Sequence, residues 1–475
     1  MSIGYKCKNP IKLLSNQEVE QIHEGTLEIL RDCGVKFEDE EALKILSEAG
    51  CQVDRDTMLV RFPVKVVEEA LKQKPDIFDL KGRNPKYDLK FSGEEVYFTN
   101  HSAPRIMDWR TGKPRAATLE DVDKWVTIID ALEDYHACFS TATSLADKPV
   151  EVFREFILAE IFRFTEKSTI GTSLKGCPKW IIRLAEVVGE KLMATTSSSS
   201  PLVCPEPMCR AIIEYARADH PVAIQGGSAM GATSPTTIAG TLVLQNSEVL
   251  AGMVLTQLVK PGIGMFYGSE TLPMDMRTGR LATGAVEVGI LNAATSQIAH
   301  FYSTPYMALY PMTDANSQDQ QCGYEKGIQL VLSVLAGVSY NISGGGVEDE
   351  HLSSFEQLVI DNDTYGMMGR LLGGITVDDN SLAIDLIKEV GPIPGTYLNK
   401  RHTRDFWRKE NYIPRLSSRM SHSRWEREGS KDIVELAREN VAEIMKKHTP
   451  VPLPKEMDRE LDKILLAVVK EKLGS

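Results

Sequence analysis

Cysteine is sparse in this sequence, with eight residues scattered through 475. That density cannot supply a disulfide scaffold, so a packed core must hold the fold. A surplus of positive charge is also missing. Lys and Arg number 54 against 66 Asp and Glu, a net charge of −12. Nucleic-acid and membrane-surface proteins carry a basic footprint, so neither class is expected. No apolar run reaches the ~20 residues that span a bilayer. The richest stretches, Leu250 to Val259 and Ile328 to Val338, are helix-length and broken by small or polar residues. Met1 to Pro10 reads as polar coil without a basic-then-apolar leader, so the cytoplasm is the expected compartment. Gly/Ser linkers and internal repeats are lacking too.

What is present is an ordinary apolar fraction of 42 % and a rhythm. Residues 15 to 75 carry helical periodicity. Ser15 with Glu18 forms a capping-box pattern, and Val19, Ile22, Leu27 and Leu30 share one face. Glu40–Ala49 and Pro63–Lys72 repeat the idea. This gives an N-terminal helical segment over 1–90. From about residue 94, short apolar runs alternate with amphipathic stretches. Eight strands are expected: Glu95–Phe98, Ala137–Thr141, Ser168–Thr172, Pro201–Cys204, Pro221–Gln225, Ile263–Tyr267, Tyr306–Tyr310 and Val338–Ser343. Helices are expected between them, including Pro178–Thr195, Thr236–Val259 and Gln318–Ala336. The spacing leaves room for a crossover helix each time. An open seven-stranded sheet competes, but eight strands with eight helices favour an α/β fold of the (β/α)8 TIM-barrel kind over 91–375. Residues 376–475 are charged and helical, an extension expected to pack on the barrel.

Active sites of such barrels lie at the carboxyl ends of the strands. Strand one ends in Tyr97, Phe98 and His101, and strand four runs to Glu206. Strand five ends Gln225-Gly226-Gly227-Ser228, and strand six in Tyr267 and Glu270. Strand seven gives Tyr310 and Asp314, and strand eight Gly344-Gly345-Gly346 with Glu348, Asp349 and His351 beyond. These ends are rich in aromatics, small residues and carboxylates and poor in basic charge. Aromatic faces beside carboxylates suit a small organic cation, above all a quaternary ammonium. Phosphate would want basic residues or a glycine loop feeding a helix, and the glycine run lacks the Lys-Ser/Thr of a P-loop. A flexible turn is its other reading. His136-Ala137-Cys138, with Cys204, suggests a zinc site for a thiol methyltransferase. Because strand two continues to Thr141, that pair sits low in the barrel, and no metal is expected.

Several segments together resemble the trimethylamine methyltransferase superfamily of corrinoid-dependent enzymes. They are Gly231-Ala232-Thr233-Ser234-Pro235-Thr236-Thr237-Ile238-Ala239-Gly240-Thr241-Leu242, Gln245-Asn246-Ser247-Glu248, Met274-Asp275-Met276-Arg277-Thr278-Gly279, the Asp319–Glu325 stretch and Ser354-Phe355-Glu356-Gln357 through Asn362. They run from strand five to beyond strand eight, with weaker similarity over nearly the whole chain. The resemblance implies a TIM barrel. Founding members carry pyrrolysine; this chain has none, and the matching position is placed at Gly345. The resemblance therefore implies a non-pyrrolysine member. Such an enzyme moves a methyl group from a quaternary amine of the glycine betaine, proline betaine or carnitine type to the Co(I) of a cognate corrinoid protein. The cobalamin belongs to that small partner, and none is bound permanently here. Tyr97, Phe98, Tyr267 and Tyr310 are expected to hold the cation, with Glu206, Glu270 or Asp314 adding charge. His101, Arg277 or His351 would meet a substrate carboxylate, and the glycines at 344–346 would give the corrin room. A homo-oligomer is expected. An inactive betaine-binding barrel and the zinc enzyme are the other readings.

Overall fold

Strands buried on both faces must alternate between an interior lined by side chains and a jacket of helices. A computed structural model describes residues 3–171, 176–309 and 311–474 of this chain and shows that arrangement. Eight strands alternate with eight helices: β1 (Glu95–Asn100), α1 (Leu119–Ala131), β2 (Ala137–Cys138), α2 (Phe153–Phe164), β3 (Ser168–Gly171), α3 (Pro178–Val188), β4 (Met193–Ser197), α4 (Glu206–Arg217), β5 (Val222–Gly226), α5 (Ile238–Val259), β6 (Met265–Ser269), α6 (Val286–Phe301), β7 (Tyr306–Ala308), α7 (Gln320–Leu335), β8 (Tyr340–Gly344) and α8 (Phe355–Leu372). Neighbours pair in parallel in the order β2-β3-β4-β5-β6-β7-β8-β1. The sheet curls until its ends meet: His136 N donates to Phe98 O at 2.8 Å, and Phe139 N to Asn100 Oδ1 at 2.8 Å.

Each strand contributes to one apolar layer inside the curl. Tyr97, Ala137, Ile170, Met193, Ala223, Phe266, Met307 and Tyr340 form it. A hairpin of Phe78–Leu80 and Leu89–Phe91 closes it from the amino ends of the strands, adding Leu80, Leu89 and Phe91. The outer core lies between strands and helices. Helix α5 is 22 residues long and mostly buried, which explains its apolar character on every side. By length and hydropathy it could cross a bilayer, but 72 % of its apolar window is buried inside the protein.

Strand four differs from the sequence reading. The expected strand Pro201–Cys204 leaves the curled sheet; Val203–Cys204 pairs instead with Val35–Phe37. The strand between β3 and β5 is Met193–Ser197, which the sequence reading had absorbed into a helix ending at Thr195. Met-Ala-Thr-Thr-Ser has little hydrophobic signal, and its burial comes from its neighbours. Gly189, left-handed at φ +72°, ends α3 after Val188. The N-terminal segment is also more than helical. Val35–Phe37, Leu59–Arg61 and Gln52–Asp54 form a small sheet beside its helices, while Ser15 and Glu18 make the expected capping box. At the C-terminus, Ile433–Lys447 packs on α8 and α1, and Lys455–Leu473 packs on α3 and α2. Arg163 of α2 bridges Asp458 at 2.7 Å and Asp462 at 2.6 Å.

The turn after β8 is held from behind by a buried ion pair. Lys326 Nζ of α7 lies 2.7 Å from Asp361 Oδ2 of α8, both nearly inaccessible. The lysine also donates to Ser343 O and Gly346 O, and Asp361 Oδ2 accepts from Gly345 N at 2.8 Å. Gln357 Nε2 satisfies the other carboxylate oxygen at 2.9 Å. Breaking a buried pair strands the remaining charge, at a cost of about 3–5 kcal/mol. Lys326→Met is therefore expected to lower stability by that amount in urea unfolding. Lys326→Met with Asp361→Leu should recover much of the loss; a double variant as unstable as the single one would contradict this account.

Candidate active site

Parity along each strand decides which side chains reach the interior. In step with Phe266 come Gly268 and Glu270; in step with Ala223 come Gln225 and Gly227; in step with Met193 come Thr195 and Ser197. Backbone register aligns them, Ser197 beside Gln225 and Gln225 beside Gly268. Gly268 is needed there, because a Cβ would collide with the Gln225 side chain. The carboxyl ends of β4, β5 and β6 thus present Ser197, Gln225 and Glu270 as one polar wall. Gln225 is buried; its Nε2 favours the charged form of Glu270 but makes no close hydrogen bond among the described residues. A buried amide donor without a partner costs about 1–3 kcal/mol unless something accepts from it.

Glu270 is the centre of this wall. It is partly exposed toward the opening, and its backbone is tied to β5 by Glu270 N donating to Gly226 O at 2.8 Å. Burial pushes its carboxyl up to about 7; the charge of Glu350 adds to the rise, while Ser197 and Gln225 pull it down.

Glu350 arrives from an unusual turn. Gly346–Val347 and Leu352–Ser353 form a hairpin, docked through Leu352–Ser353 onto Arg105–Asp108 beyond β1. At its tip Glu348, Asp349 and Glu350 have φ values of +54°, +51° and +60°. Three consecutive left-handed residues cost roughly 1–2 kcal/mol each, so the surroundings must impose them. Glu348 N donates to Ala315 O at 2.8 Å and Asp349 N to Thr313 O at 2.9 Å. Arg105 Nη2 donates to Glu348 Oε1 at 2.9 Å. His101 Nδ1 lies 3.1 Å from Glu350 Oε1, and its Nε2 lies 3.1 Å from Glu350 O. Burial, and then the charge of Asp314, raise the Asp349 carboxyl. The result is an acidic turn bent over the strand ends, with strain of the kind that collects at functional sites.

The residues expected from sequence divide sharply. Glu270 and His101 belong to the constellation just described. Asp314 stands at its edge, but its carboxylate is engaged: Thr283 Oγ1 donates to it at 2.7 Å and Gly284 N at 3.0 Å. His351 is on the acidic turn, exposed. Tyr97 lies low in the sealed layer, its hydroxyl donating to Lys90 O at 2.9 Å. Phe98 points outward and stacks on Tyr365 of α8 at 4.2 Å. Tyr267 also points outward, its hydroxyl donating to Asn246 Oδ1 of α5 at 3.2 Å. Arg277 is on an exposed hairpin, paired with Asp275. Glu206 is the first residue of α4, past the excursion that follows strand four at Met193–Ser197. Tyr310 lies outside the described residues, as do Thr172 and Ser173.

Gly345 and its neighbours also serve differently than expected. Gly345 has φ +88°, and a Cβ there would lie 2.5 Å from Trp125. Equivalent atoms at Gly344 and Gly346 would meet Tyr135 and His101. The run makes room for the protein's own side chains. The zinc reading also fails to gather ligands. His136 Nδ1 accepts from Phe98 N at 3.0 Å, Cys138 lies in the outer core, and Cys204 belongs to the N-terminal sheet. No metal-binding cluster of His, Cys, Asp or Glu occurs among the described residues.

Ser197, Gln225 and Glu350 are the members that the site choice from sequence omitted. Counting by twos from Ala223 finds Gln225, whereas Ser197 lies on a strand that its own residues do not announce. Nothing local in Glu348-Asp349-Glu350 announces a left-handed turn.

The chain matches the trimethylamine methyltransferase (MTTB) family over residues 4–472. It is 31 % identical over 472 residues to glycine betaine methyltransferase of Desulfitobacterium hafniense strain Y51, covering 97 % of each chain. It is 33 % identical over 463 residues to trimethylamine methyltransferase MttB of Desulfitobacterium hafniense strain DSM 10664 / DCB-2, covering 95 % of this chain and 92 % of the other. In fold it resembles the monomethylamine methyltransferase MtmB of Methanosarcina barkeri, with a TM-score of 0.52 at 13 % identity over 98 % of this chain and 90 % of that one. With the family matched from end to end, this chain belongs to the trimethylamine methyltransferase family, as a member whose sequence contains no pyrrolysine.

Proposed function

We propose that this chain, folded as a (β/α)8 barrel, moves a methyl group from a quaternary amine to the Co(I) of a separate small corrinoid protein. A cytoplasmic setting is part of this reading. The amine is of the glycine betaine, proline betaine or carnitine type and leaves as the tertiary amine. In the transfer the C–N bond breaks with its electron pair staying on nitrogen, so a quaternary nitrogen needs no general acid to leave. The cobalt of the methyl acceptor supplies the pair for the new bond. What the chain must do is bind the cation, orient one methyl and exclude water.

The observation that carries this reading is the carboxyl of Glu270 at the strand ends, raised by desolvation although the residue stays partly exposed, with a second carboxylate, Glu350, acting on it. Two acids sharing a low-dielectric opening repel; a cation between them relieves that repulsion and favours the charged form of Glu270. Gln225 Nε2 offers a donor for a carboxylate or hydroxyl on the substrate, and His101 lies beside Glu350. Phe139, in step with Ala137 on β2, supplies an apolar side.

Mixing the chain with reduced corrinoid protein and a panel of quaternary amines should give the absorbance of methyl-Co(III) with at least one of them. Binding of a betaine without that change would favour the inactive barrel. Glu270→Gln is expected to raise KM for the accepted amine about tenfold, equivalent to ~1.4 kcal/mol, with a smaller effect on kcat. The quaternary nitrogen does not titrate, so the pH dependence of its affinity reads the protein. Because the Glu270 carboxyl sits near 7, affinity should rise as pH climbs through 7 and fall below it. Calorimetric titrations between pH 5.5 and 8.5 should show this slope, roughly as steep as a single titration, and Glu270→Gln should flatten it.

A further inference from the structure

The packing of the protein does not account for Gly227. This residue follows Gly226, the last of β5, at an inward position in step with Ala223 and Gln225. Gly226 pairs with Ser269, which sets residue 227 beside Glu270. Glycine in extended backbone is less stable than alanine. Its presence there answers to a left-handed conformation, to a crowding neighbour or to a ligand that comes close to the backbone. The backbone at 227 is not left-handed. Nor is it crowded. A Cβ there would lie 3.6 Å from Glu270 Oε2, 3.7 Å from Ser198 O and 3.8 Å from Glu270 Cβ, which are ordinary contact distances. The neighbouring glycines differ. The same atom would lie 2.6 Å from the Gln245 side chain at Gly226 and 2.4 Å from that of Gln225 at Gly268. Packing demands those two; Gly227, half-buried at the opening, answers to something else.

We propose that Gly227 seats one N-methyl group of the amine beside Glu270, and that the size of residue 227 decides whether a fully methylated nitrogen fits. This rests on the reading of Glu270 as the partner of the cation. The two nearest oxygens select the occupant. In a quaternary ammonium the positive charge is spread over the methyl hydrogens. Its methyl groups therefore meet oxygens as weak C–H donors, with carbon to oxygen distances of about 3.3–3.6 Å. The place that a Cβ of residue 227 would take, 3.6 Å from a carboxylate oxygen and 3.7 Å from a carbonyl oxygen, is such a position. An uncharged apolar group would only desolvate those oxygens, and an N–H donor would come closer, to about 2.7–3.2 Å. Because the nitrogen is tetrahedral, a methyl seated at Gly227 directs the other three substituents away from the β5–β6 wall. One methyl is then free to face the acceptor, while Gln225 and Phe139 meet the rest of the molecule. Alanine at 227 would put its own methyl where the substrate's belongs.

The test pairs each quaternary amine with its own demethylated tertiary amine, beginning with glycine betaine and N,N-dimethylglycine, and reads binding by calorimetry on the full chain. Gly227→Ala should raise Kd for the quaternary member at least tenfold, equivalent to ~1.4 kcal/mol. The tertiary member should lose less than twofold, because it can turn its ammonium N–H toward Glu270 in place of a methyl. Thermal unfolding gives a second reading that needs no ligand. Gly227→Ala should keep or raise the midpoint, whereas Gly226→Ala should lower it by forcing the Gln245 side chain aside. Equal losses for both members of a pair, or a midpoint lowered in Gly227→Ala as in Gly226→Ala, would show that the glycine serves the fold and overturn the proposal. An unaltered chain that binds a quaternary amine no better than Gly227→Ala does would overturn it while leaving the reading of Glu270 in place. An unaltered chain that binds no quaternary amine at all overturns that reading, and the proposal with it.

Discussion

The Lys326–Asp361 pair is the fixed point on which the opening depends. Two charges taken out of water are stable only when every donor and acceptor is met. Here the lysine serves Asp361 and two carbonyls of the β8 turn, and the aspartate serves Lys326, Gly345 N and Gln357. The pair therefore ties α7, α8 and the backbone of residues 343–346 into one rigid corner. The acidic hairpin begins at that corner. Without a fixed root, three left-handed residues would relax to cheaper conformations and Glu350 would swing away from His101.

A second network repeats the idea on the other side. Glu325, one position before Lys326, accepts from Thr313 Oγ1 at 2.6 Å and Asp314 N at 2.9 Å. Asp314 in turn holds the loop at Thr283 and Gly284. Thr313 O and Ala315 O then receive the amides of the left-handed turn. Two adjacent residues of α7 thus govern both flanks of the turn. The segments 319–325 and 354–362 mostly do this work: capping α7 and α8, and bracing loops. Only at one remove do they reach the chemistry.

How much of this was legible in the sequence follows from which physical signal each feature leaves. Apolar runs such as Ile263–Tyr267 announce strands because both faces are buried. Met193–Ser197 leaves no such signal, since its partners β3 and β5 bury it. The α/β class with a curled parallel sheet survived that error because spacing and count carried it. The candidate site was less legible. Reading whole strand ends took in Phe98 and Tyr267, which face the helices, along with Glu270, which faces inward. Aromatic character drew attention to them, but in a strand with alternating faces an aromatic residue next to an inward position is a packing residue. The small polar residue Gln225 had the right parity but counted only as part of a strand end, and Ser197 lay on the strand taken for helix.

Of the aromatic side chains expected at the opening, Tyr97, Phe98 and Tyr267 do not reach it, and that bears on how a cation would be held in the proposed reading. With Tyr97, Phe98 and Tyr267 turned away, attraction falls to Glu270 and Glu350. A pair of carboxylates acts over a longer range than a ring face and is stronger when desolvated. It is also less selective in shape, so discrimination among methylated amines must come from what surrounds the pair. Gly345 limits those options. Its left-handed backbone and the nearness of Trp125 leave no space for a side chain, so no group can be added there without displacing the tryptophan. Apart from Gly227, the apolar side near Phe139 and the donor of Gln225 are then the features on which substrate shape can act. Of the two, the buried amide is the more discriminating, because a substrate that fails to accept from it leaves the amide unsatisfied, whereas a poorly fitting apolar contact loses only a fraction of its dispersion energy.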